Sequence, residues 1–246
     1  MFNYMFTYMR NIPSNVGFGQ FGWIHFTVLF LEALMVAGFI KYYRGANEES
    51  RGKFRKVLAS IILAMEVAKE GFLALTGQYE WGLMPLHLCG LSIFIVFFDA
   101  FWSNKASREI LYSLTLPGAL AALLFPDWAS YPIMNVFAWQ SFLIHAFLVG
   151  YVLVRLCSGE IRPNYRELWR PAVFLAIVVP IDLILNRQLG TNFFFLNTSA
   201  PGSPLEFLQT LFGNYYLLSM IGLLLIVWFF MYLPWALQEK KSKTVE

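Results

Sequence analysis

The sequence contains residues that could carry out nucleophilic chemistry: a cysteine, Cys89, with His87 close to it and His145 further along the chain. A cysteine reacts as its thiolate, which a neighbouring base or a helix N-terminus favours. Pro85 predicts that a helix begins there, because proline is tolerated in the first helical turn. His87 and Cys89 would then point about 200° apart. We therefore expect His145, from another helix, to be the base that serves Cys89; the alternative is that Cys89 only packs in the interior.

Charged residues also occur inside apolar stretches of the sequence. Glu66, Lys69 and Glu70 have the spacing of one helical face, and so do Asp182 and Asn186. A charge within the hydrocarbon costs at least about 3 kcal/mol on insertion scales, so each one needs a partner, a water-filled cavity or a function. One interpretation is that these charges pair with one another between helices. The other is a site for a substrate or a proton.

The sequence gives no reason to expect a metal or a cofactor. Its histidines, cysteines and carboxylates lack the spacing of known metal sites, and no phosphate-binding or dinucleotide-binding motif is present. The second cysteine, Cys157, is expected near the opposite side of the membrane from Cys89. A disulfide needs Cα atoms within about 7 Å, so the two cysteines are predicted to be separate thiols.

The composition indicates a membrane protein. Of 246 residues, 58% are hydrophobic and only 13% are charged, and the mean hydropathy is +0.57. Soluble domains are roughly half apolar and about a quarter charged. A soluble enzyme, a disordered chain and a disulfide-rich secreted domain are therefore excluded. The net charge of +3 is too small to indicate a nucleic-acid partner. We expect an all-α integral membrane protein.

A bilayer core of about 30 Å requires roughly 20 mostly apolar residues per helix. Seven stretches of the sequence approximately meet this requirement, which predicts a bundle of seven transmembrane helices. The predicted spans are 23–42, 57–76, 84–102, 110–125, 137–156, 170–189 and 215–236.

The positive charges predict how this bundle is oriented. Most of the 18 Lys and Arg residues lie after spans 1, 3 and 5 or in the C-terminal tail. The positive-inside rule then places the N-terminus outside and the C-terminus in the cytoplasm. We predict an extracytoplasmic segment over 1–22, a seven-helix domain over 23–236 and a basic cytoplasmic tail over 237–246. All three histidines, His25 included, and Cys89 then lie in the outer half, which suggests a polar chamber there.

Four sequence elements carry a family resemblance. They are Met84-Pro-Leu-His-Leu-Cys89, Phe125-Pro-Asp127, His145, and Gly190-Thr-Asn-Phe-Phe-Phe-Leu196 followed by Pro201. Through these four elements the chain resembles the small YwaF-type bacterial membrane proteins, which are similar to the eukaryotic transmembrane protein 164 family. The resemblance extends from span 2 to span 7. This chain has Phe193 where the family usually has tyrosine, so a hydroxyl is missing there.

The resemblance implies a function that the spacing does not. Eukaryotic members of the family are described as cysteine-dependent acyltransferases that act on phospholipids, so Cys89 matches the acyl-accepting cysteine and His145 the general base. His87 and Asn192 are candidates to stabilise the oxyanion, and Asp182 or Asn186 to orient the histidine. The expected partners are membrane lipids, with a phospholipid or lysophospholipid as substrate, and the expected location is a bacterial plasma membrane. No protein partner is predicted.

The sequence leaves a second function open, that of a transporter or a small-ligand-binding protein. Such a protein would use the charges of spans 2 and 6, namely Glu66, Lys69, Glu70 and Asp182. Pro117-Gly118 and Pro180 could interrupt their helices, and discontinuous helices form the binding sites of many transporters.

Overall fold

The computed structural model describes residues 2–13 and 15–244, and the regular secondary structure of this part of the chain is entirely helical. The all-α class is therefore confirmed. Seven long helices and one short helix overlap or connect the predicted spans. They are α1 (Trp23–Gly45), α2 (Glu48–Leu75), α3 (Leu88–Phe101), α4 (105–124), α5 (Val136–Cys157), α6 (Trp169–Leu189), the short α7 (Pro204–Phe212) and α8 (Tyr216–Thr244).

Four helical segments are long and apolar enough to cross a membrane: Trp23–Gly45, Val136–Cys157, Tyr165–Leu189 and Pro204–Lys240. The outward faces of α6 and α8 expose large apolar side chains, among them Ile177, Ile184 and Phe230. A soluble protein rarely exposes continuous apolar surface of this kind, whereas a bilayer covers it.

The helix boundaries differ from the predicted spans where capping residues decide them. Helix α2 begins nine residues before its predicted span, because the side chain of Asn47 accepts a hydrogen bond from the Ser50 N–H and so caps the helix. Helix α3 begins at Leu88, not at Pro85. The prediction that Pro85 opens this helix was wrong, because His87 is its extended N-cap residue, with φ −60° and ψ 156°.

Helix α5 is the central helix of the fold, and α1, α2, α3 and α4 all pack against it. Helix α1 approaches it most closely at Gly150. A Cβ atom added there would lie 3.3 Å from the Phe39 ring and 3.6 Å from Val36. Small residues at such positions let membrane helices come into van der Waals contact, which drives their association in lipid.

Neither Pro117 nor Pro180 interrupts its helix, so the predicted helix breaks are wrong. Helix α4 contains a π-helical turn, Leu111–Thr115, just before Pro117, and Pro180 lies inside the continuous helix α6. The indole N–H of Trp228, from α8, donates to the carbonyl of Ser113 in the π turn at 3.0 Å. This bond explains why Trp228 is buried rather than placed at an interface.

The N-terminal segment packs across one end of the bundle. The Met9 N–H donates to the Tyr131 hydroxyl at 3.2 Å, and the Tyr8 N–H donates to the Gln78 side chain at 2.8 Å. The amide of Asn135, the N-cap residue of α5, donates to the carbonyls of Tyr4 and Thr7. These bonds attach residues 4–9 to the ends of α2 and α5.

The opposite end is held by a buried ionic network. Arg155, in the last turn of α5, pairs with Asp99 of α3, and both side chains are almost fully buried. Tyr151 donates to the same carboxylate at 2.8 Å. Arg155 also contacts Glu160 at 3.2 Å, and Arg55 of α2 donates to Glu160 at 2.6 Å. Arg155 thereby joins α5 to α3 and to the connecting loop, and Arg55 joins α2 to the same loop.

We expect Arg155→Met to destabilise the protein strongly, because Asp99 would keep a buried negative charge without its cation. Breaking a buried pair from one side costs about 3–5 kcal/mol. The double variant Arg155→Met with Asp99→Leu should recover most of this loss. Thermal unfolding of the purified protein measures both. Arg166→Met, which removes an exposed pair with Glu239, is the control and should cost under about 1 kcal/mol. A double variant no more stable than the single one would contradict this account.

Candidate functional site

Cys89 is the second residue of α3 and is a free thiol with part of its surface accessible. Protein surrounds it on nearly all sides, and its side chain packs against the apolar core. No side chain caps the start of α3, so the first backbone N–H groups of the helix point out of its end without side-chain partners. The thiol therefore lies beside a cluster of hydrogen-bond donors. Cys157 is also free and is exposed, which confirms that the cysteines are separate.

His145 lies in α5 with one ring nitrogen committed to its own helix. Its Nδ1 is 2.6 Å from the carbonyl oxygen of Ser141, which can only accept, so Nδ1 carries the proton. The Nε2 lone pair is then left to act as a base, and no hydrogen bond from the described residues occupies it. The Trp128 indole stacks on the imidazole with ring centroids 4.8 Å apart. An indole face attracts a cation, so it would favour an imidazolium.

Glu66 of α2 links the cysteine and the histidine electrostatically. One of its carboxylate oxygens accepts from Lys69 at 2.8 Å and the other from Gln140 of α5 at 3.1 Å. The charge of Glu66 acts on both Cys89 and His145. Helices α2, α3 and α5 contact one another, and we name the region around Glu66 where they meet the recess.

The structure does not show a direct contact between the two predicted catalytic groups. No hydrogen bond joins the Cys89 sulfur to His145 or to any other described side chain. The two residues share the carboxylate of Glu66 as a neighbour and are both partly accessible. Catalytic hydrogen bonds in substrate-free structures are often long or absent, so this geometry leaves their cooperation a prediction.

The charges of α2 pair within their own helix, whereas one interpretation of the sequence had them pair between helices. Lys69 lies 2.8 Å from Glu66 and 3.0 Å from Glu70, so the three residues form a bridged triplet, which we name the α2 triplet. The charge of Lys69 also acts on His87 and His145. The triplet therefore borders the recess. Because Lys69 pairs with both carboxylates, most of the charge within the triplet is neutralised.

His87 is the N-cap residue of α3, and the connection that follows α6 covers it. Its imidazole contacts the Phe193 ring at 5.4 Å and the Phe195 ring at 5.3 Å between centroids. The Tyr216 hydroxyl donates to the Phe195 carbonyl at 3.0 Å. The apolar run of this connection thus folds back onto the bundle.

His25 does not belong to the recess, so the expectation that all three histidines share one chamber was wrong. Its ring is fully buried, and both of its nitrogens are used. Nδ1 accepts from the Phe21 N–H at 3.1 Å, and Nε2 donates to the Leu123 carbonyl at 2.8 Å. This histidine ties the start of α1 to the end of α4 and has no lone pair left for chemistry.

Asn186 organises the loop that covers His87. Its side-chain oxygen accepts from the Thr191 hydroxyl at 2.9 Å and from the Phe193 N–H at 2.7 Å, while its amide donates to the Phe193 carbonyl at 3.1 Å. Asn192 bonds instead to Asn197 and Thr198 within the same connection. Both amides are used within the loop rather than on His145.

Asp182 lies one turn before Asn186 on the buried side of α6. One of its carboxylate oxygens is buried and has no hydrogen-bond partner among the described residues. Arg187 is exposed, and none of the described ion pairs joins it to Asp182. Asp182 therefore has no ion pair with the arginine that lies nearest to it in the sequence of α6.

Sequence reasoning missed several residues that shape the recess. Gln140 fixes Glu66, and Trp128 stacks on His145. Gly90 lets the turn before α3 fold tightly, since an added Cβ would lie 2.6 Å from the Pro85 carbonyl carbon. Asp127 is the exception, because it belongs to the Phe-Pro-Asp element that carries the family resemblance. Among the described residues no group of His, Cys, Asp and Glu side chains is arranged to hold a metal.

Asp127, in the connection between α4 and α5, adds a second carboxylate to the mouth of the recess, and its charge acts on Cys89. Asp127 is an exposed residue; neighbouring protein atoms partly desolvate its carboxyl and raise its pKa, which a bond to its own backbone N–H opposes. Burial likewise raises the pKa of the Tyr8 hydroxyl, with smaller contributions from Glu80, Asp127 and Glu70.

The fold and its exposed apolar helices define an integral membrane protein with a helical bundle. Residues 20–232 of this chain match the TMEM164 family. This match covers far more than half of the sequence, so the chain belongs to the TMEM164 family. No curated protein matches the chain, and no solved structure does.

Asn186→Ala should loosen the loop over His87, because three hydrogen bonds to Thr191 and Phe193 are lost. Each such bond contributes on the order of 1 kcal/mol. Hydrogen–deuterium exchange should become faster over 191–196. Asn192→Ala is the matched control, since it removes bonds to Asn197 and Thr198 and should leave the Phe193 amide protected. Equal exchange at Phe193 in the wild type and Asn186→Ala would contradict this role.

Asp127→Asn should stabilise the protein only slightly at neutral pH, because Asp127 is exposed and water screens most of the cost of its charge. The folded-state pKa of Asp127 is raised above its unfolded value of about 3.9. Its favourable contribution is complete below that unfolded value and is lost as the pH rises through the folded pKa. The thermal midpoint of the variant should exceed that of the wild type at pH 7, and the difference should vanish under acidic conditions. A variant that is less stable at pH 7 would contradict the assignment.

Proposed function

We propose that this TMEM164-family protein is a membrane acyltransferase that acts on phospholipids, with Cys89 as nucleophile and His145 as general base. One observation carries the proposal: the bond from Nδ1 of His145 to Ser141 leaves Nε2 without a hydrogen-bond partner among the described residues, in the region of α2, α3 and α5 that also holds the free thiol of Cys89. A membrane enzyme of this type needs a nucleophile, a base of the correct tautomer and donors for an oxyanion in one place.

We further propose that all seven long helices cross the membrane, with the N-terminus outside and the recess in the outer half. The ends of the helices that carry Arg55, Arg155 and Lys105 hold most of the cations, as expected for a cytoplasmic side. Helices α2 and α4 are not among the four long apolar segments, but Glu66 and Lys69 of α2 and Glu109 of α4 have partners inside the bundle. The location proposed is the plasma membrane of a bacterium.

In the first step, the sulfur of Cys89 attacks the ester carbonyl of a phospholipid while Nε2 of His145 takes the thiol proton. The carbonyl π electrons move to oxygen, and the resulting oxyanion is placed to accept bonds from the N–H groups at the start of α3. Collapse of this intermediate breaks the ester C–O bond. The lysophospholipid oxygen leaves with the proton from the imidazolium, and an acyl thioester remains on Cys89.

In the second step, the hydroxyl of an acceptor lysolipid gives its proton to Nε2 of His145 and attacks the thioester carbonyl. The C–S bond breaks, and the thiolate recovers the proton from the imidazolium. Glu66 and the Trp128 ring favour the imidazolium that forms twice in the cycle, by charge and by ring stacking, whereas burial and the charge of Lys69 oppose it. The acyl chain stays among the apolar helices throughout, so no cofactor or soluble carrier is required.

Transfer of a labelled acyl chain from phosphatidylcholine to a lysophospholipid by the purified protein tests the proposal. Cys89→Ala should abolish transfer, and His145→Gln should reduce it by about 10²–10⁴-fold, the usual contribution of a general base. Cys157→Ala, which removes the other thiol, should retain full activity. Intact-mass analysis of the wild type should show an acyl adduct on Cys89 that neutral hydroxylamine removes. Transfer that survives Cys89→Ala would refute the mechanism.

A second candidate function, solute transport or small-ligand binding, is favoured by two buried acids. Both carboxylate oxygens of Glu32, in α1, and one of Asp182, in α6, lack hydrogen-bond partners among the described residues. Unpaired acids within membrane helices often belong to ion or proton pathways. Solute flux into vesicles that Asp182→Asn removes and Cys89→Ala preserves would favour this function over the enzyme.

A further inference from the structure

A polar cavity of about 310 Å³ lies at the end of the bundle opposite Cys89. It opens between the start of α4 and the connection from α5 to α6. Lys105 and Arg108 line it from α4, and Arg162 lines it from the connection. Its volume lies within the range of small-molecule sites, and its lining side chains are almost all charged.

The carboxylates that line the cavity already have partners. Glu160 accepts from the Tyr43 hydroxyl at 2.8 Å and from Arg55 at 2.6 Å. Glu167 accepts from Arg170 at 2.6 Å. These carboxylates are therefore neutralised by groups outside the cavity.

The third carboxylate, that of Glu109, is also occupied. It accepts from the backbone N–H of Asn164 at 3.1 Å and from the Tyr232 hydroxyl at 2.7 Å. These donors come from the α5–α6 connection and from α8. Both donors are neutral, so Glu109 keeps its negative charge, and the three cations of the cavity outnumber the carboxylates without a cationic partner by two.

The cations that line the cavity lack carboxylate partners. Among the described residues, neither Lys105 nor Arg162 makes a hydrogen bond or an ion pair. Arg108 bonds only to two backbone carbonyls, those of Asn104 at 3.2 Å and Glu160 at 3.4 Å. Its positive charge therefore remains available to a ligand. Three cations facing one cavity repel one another, and this arrangement is relieved when an anion binds between them.

We propose that this cavity binds a phosphate group through Lys105, Arg108 and Arg162. An arginine fork matches phosphate oxygens, and charge-assisted bonds of this kind are the strongest that side chains form. The cavity also lies at the level where helices end, beside the basic connections. Basic pockets between membrane helices at the cytoplasmic side are suited to anionic headgroups. The phosphate can belong to such a headgroup or to a soluble phosphate compound. This inference is independent of the proposed acyl transfer.

The test uses the full-length protein and two probes. The first is inorganic phosphate, titrated calorimetrically into protein held in phosphatidylcholine nanodiscs. The second is phosphatidate, whose retention from a mixture with phosphatidylcholine is counted by native mass spectrometry. If inorganic phosphate binds, a soluble phosphate is sufficient to occupy the cavity. If phosphatidate is retained selectively and inorganic phosphate does not bind, the ligand is a lipid headgroup. Either result supports the site.

Lys105→Gln and Arg162→Gln should each weaken binding by about tenfold, the loss expected for one charge-assisted bond. Lys53→Gln is the matched control, because Lys53 is an exposed cation of α2 that does not line the cavity. It should bind as the wild type does. The proposal is overturned if the wild type binds neither probe, if both cavity variants bind normally, or if the control loses as much affinity as they do.

Discussion

Polar side chains that enter a helical bundle in a membrane must find their partners inside the protein, because lipid offers none. In this chain α5 satisfies that requirement at both of its ends. At one end Arg155 pairs with Asp99 and Glu160, and at the other Gln140 bonds to Glu66. These bonds hold α2 and α3 against α5 and so fix where the recess forms.

The recess follows from this arrangement of helices. Because α2 and α5 are joined through Glu66 and Gln140, His145 faces the same space as the α2 triplet. The tight turn before α3 then places Cys89 at the helix start, beside unpaired backbone donors. The loop held by Asn186 covers His87 at the entrance. Each functional side chain is therefore positioned by a contact that also stabilises the fold.

Much of the fold could be predicted from the sequence because hydropathy records burial in lipid directly. All seven long helices overlap predicted spans, and asparagines such as Asn47 and Asn135 mark where two of them begin. The start of α3 was misplaced because Pro85 is compatible with a helix start and also with the extended turn that the structure adopts. Propensity alone does not separate these two conformations.

The site was less predictable, because a sequence does not show which residues face each other across helices. His25 and His145 look alike in the sequence, yet one ring is fully hydrogen-bonded and the other keeps a free nitrogen. The hydrogen bond from Gln140 to Glu66 joins residues that are 74 positions apart, and no local sequence pattern predicts it. The α2 triplet was found because its contacts lie within one helix.

The central claim is that the thiol of Cys89 and the imidazole of His145 share one water-accessible recess. The most direct measurement is the alkylation rate of Cys89 by a water-soluble iodoacetamide, in a Cys157→Ala background and with His145 either present or replaced by glutamine. The account predicts that Cys89 is alkylated and that the reaction slows markedly without the imidazole. A thiol that stays unreactive in the folded protein, or one that reacts equally fast in both backgrounds, would contradict it.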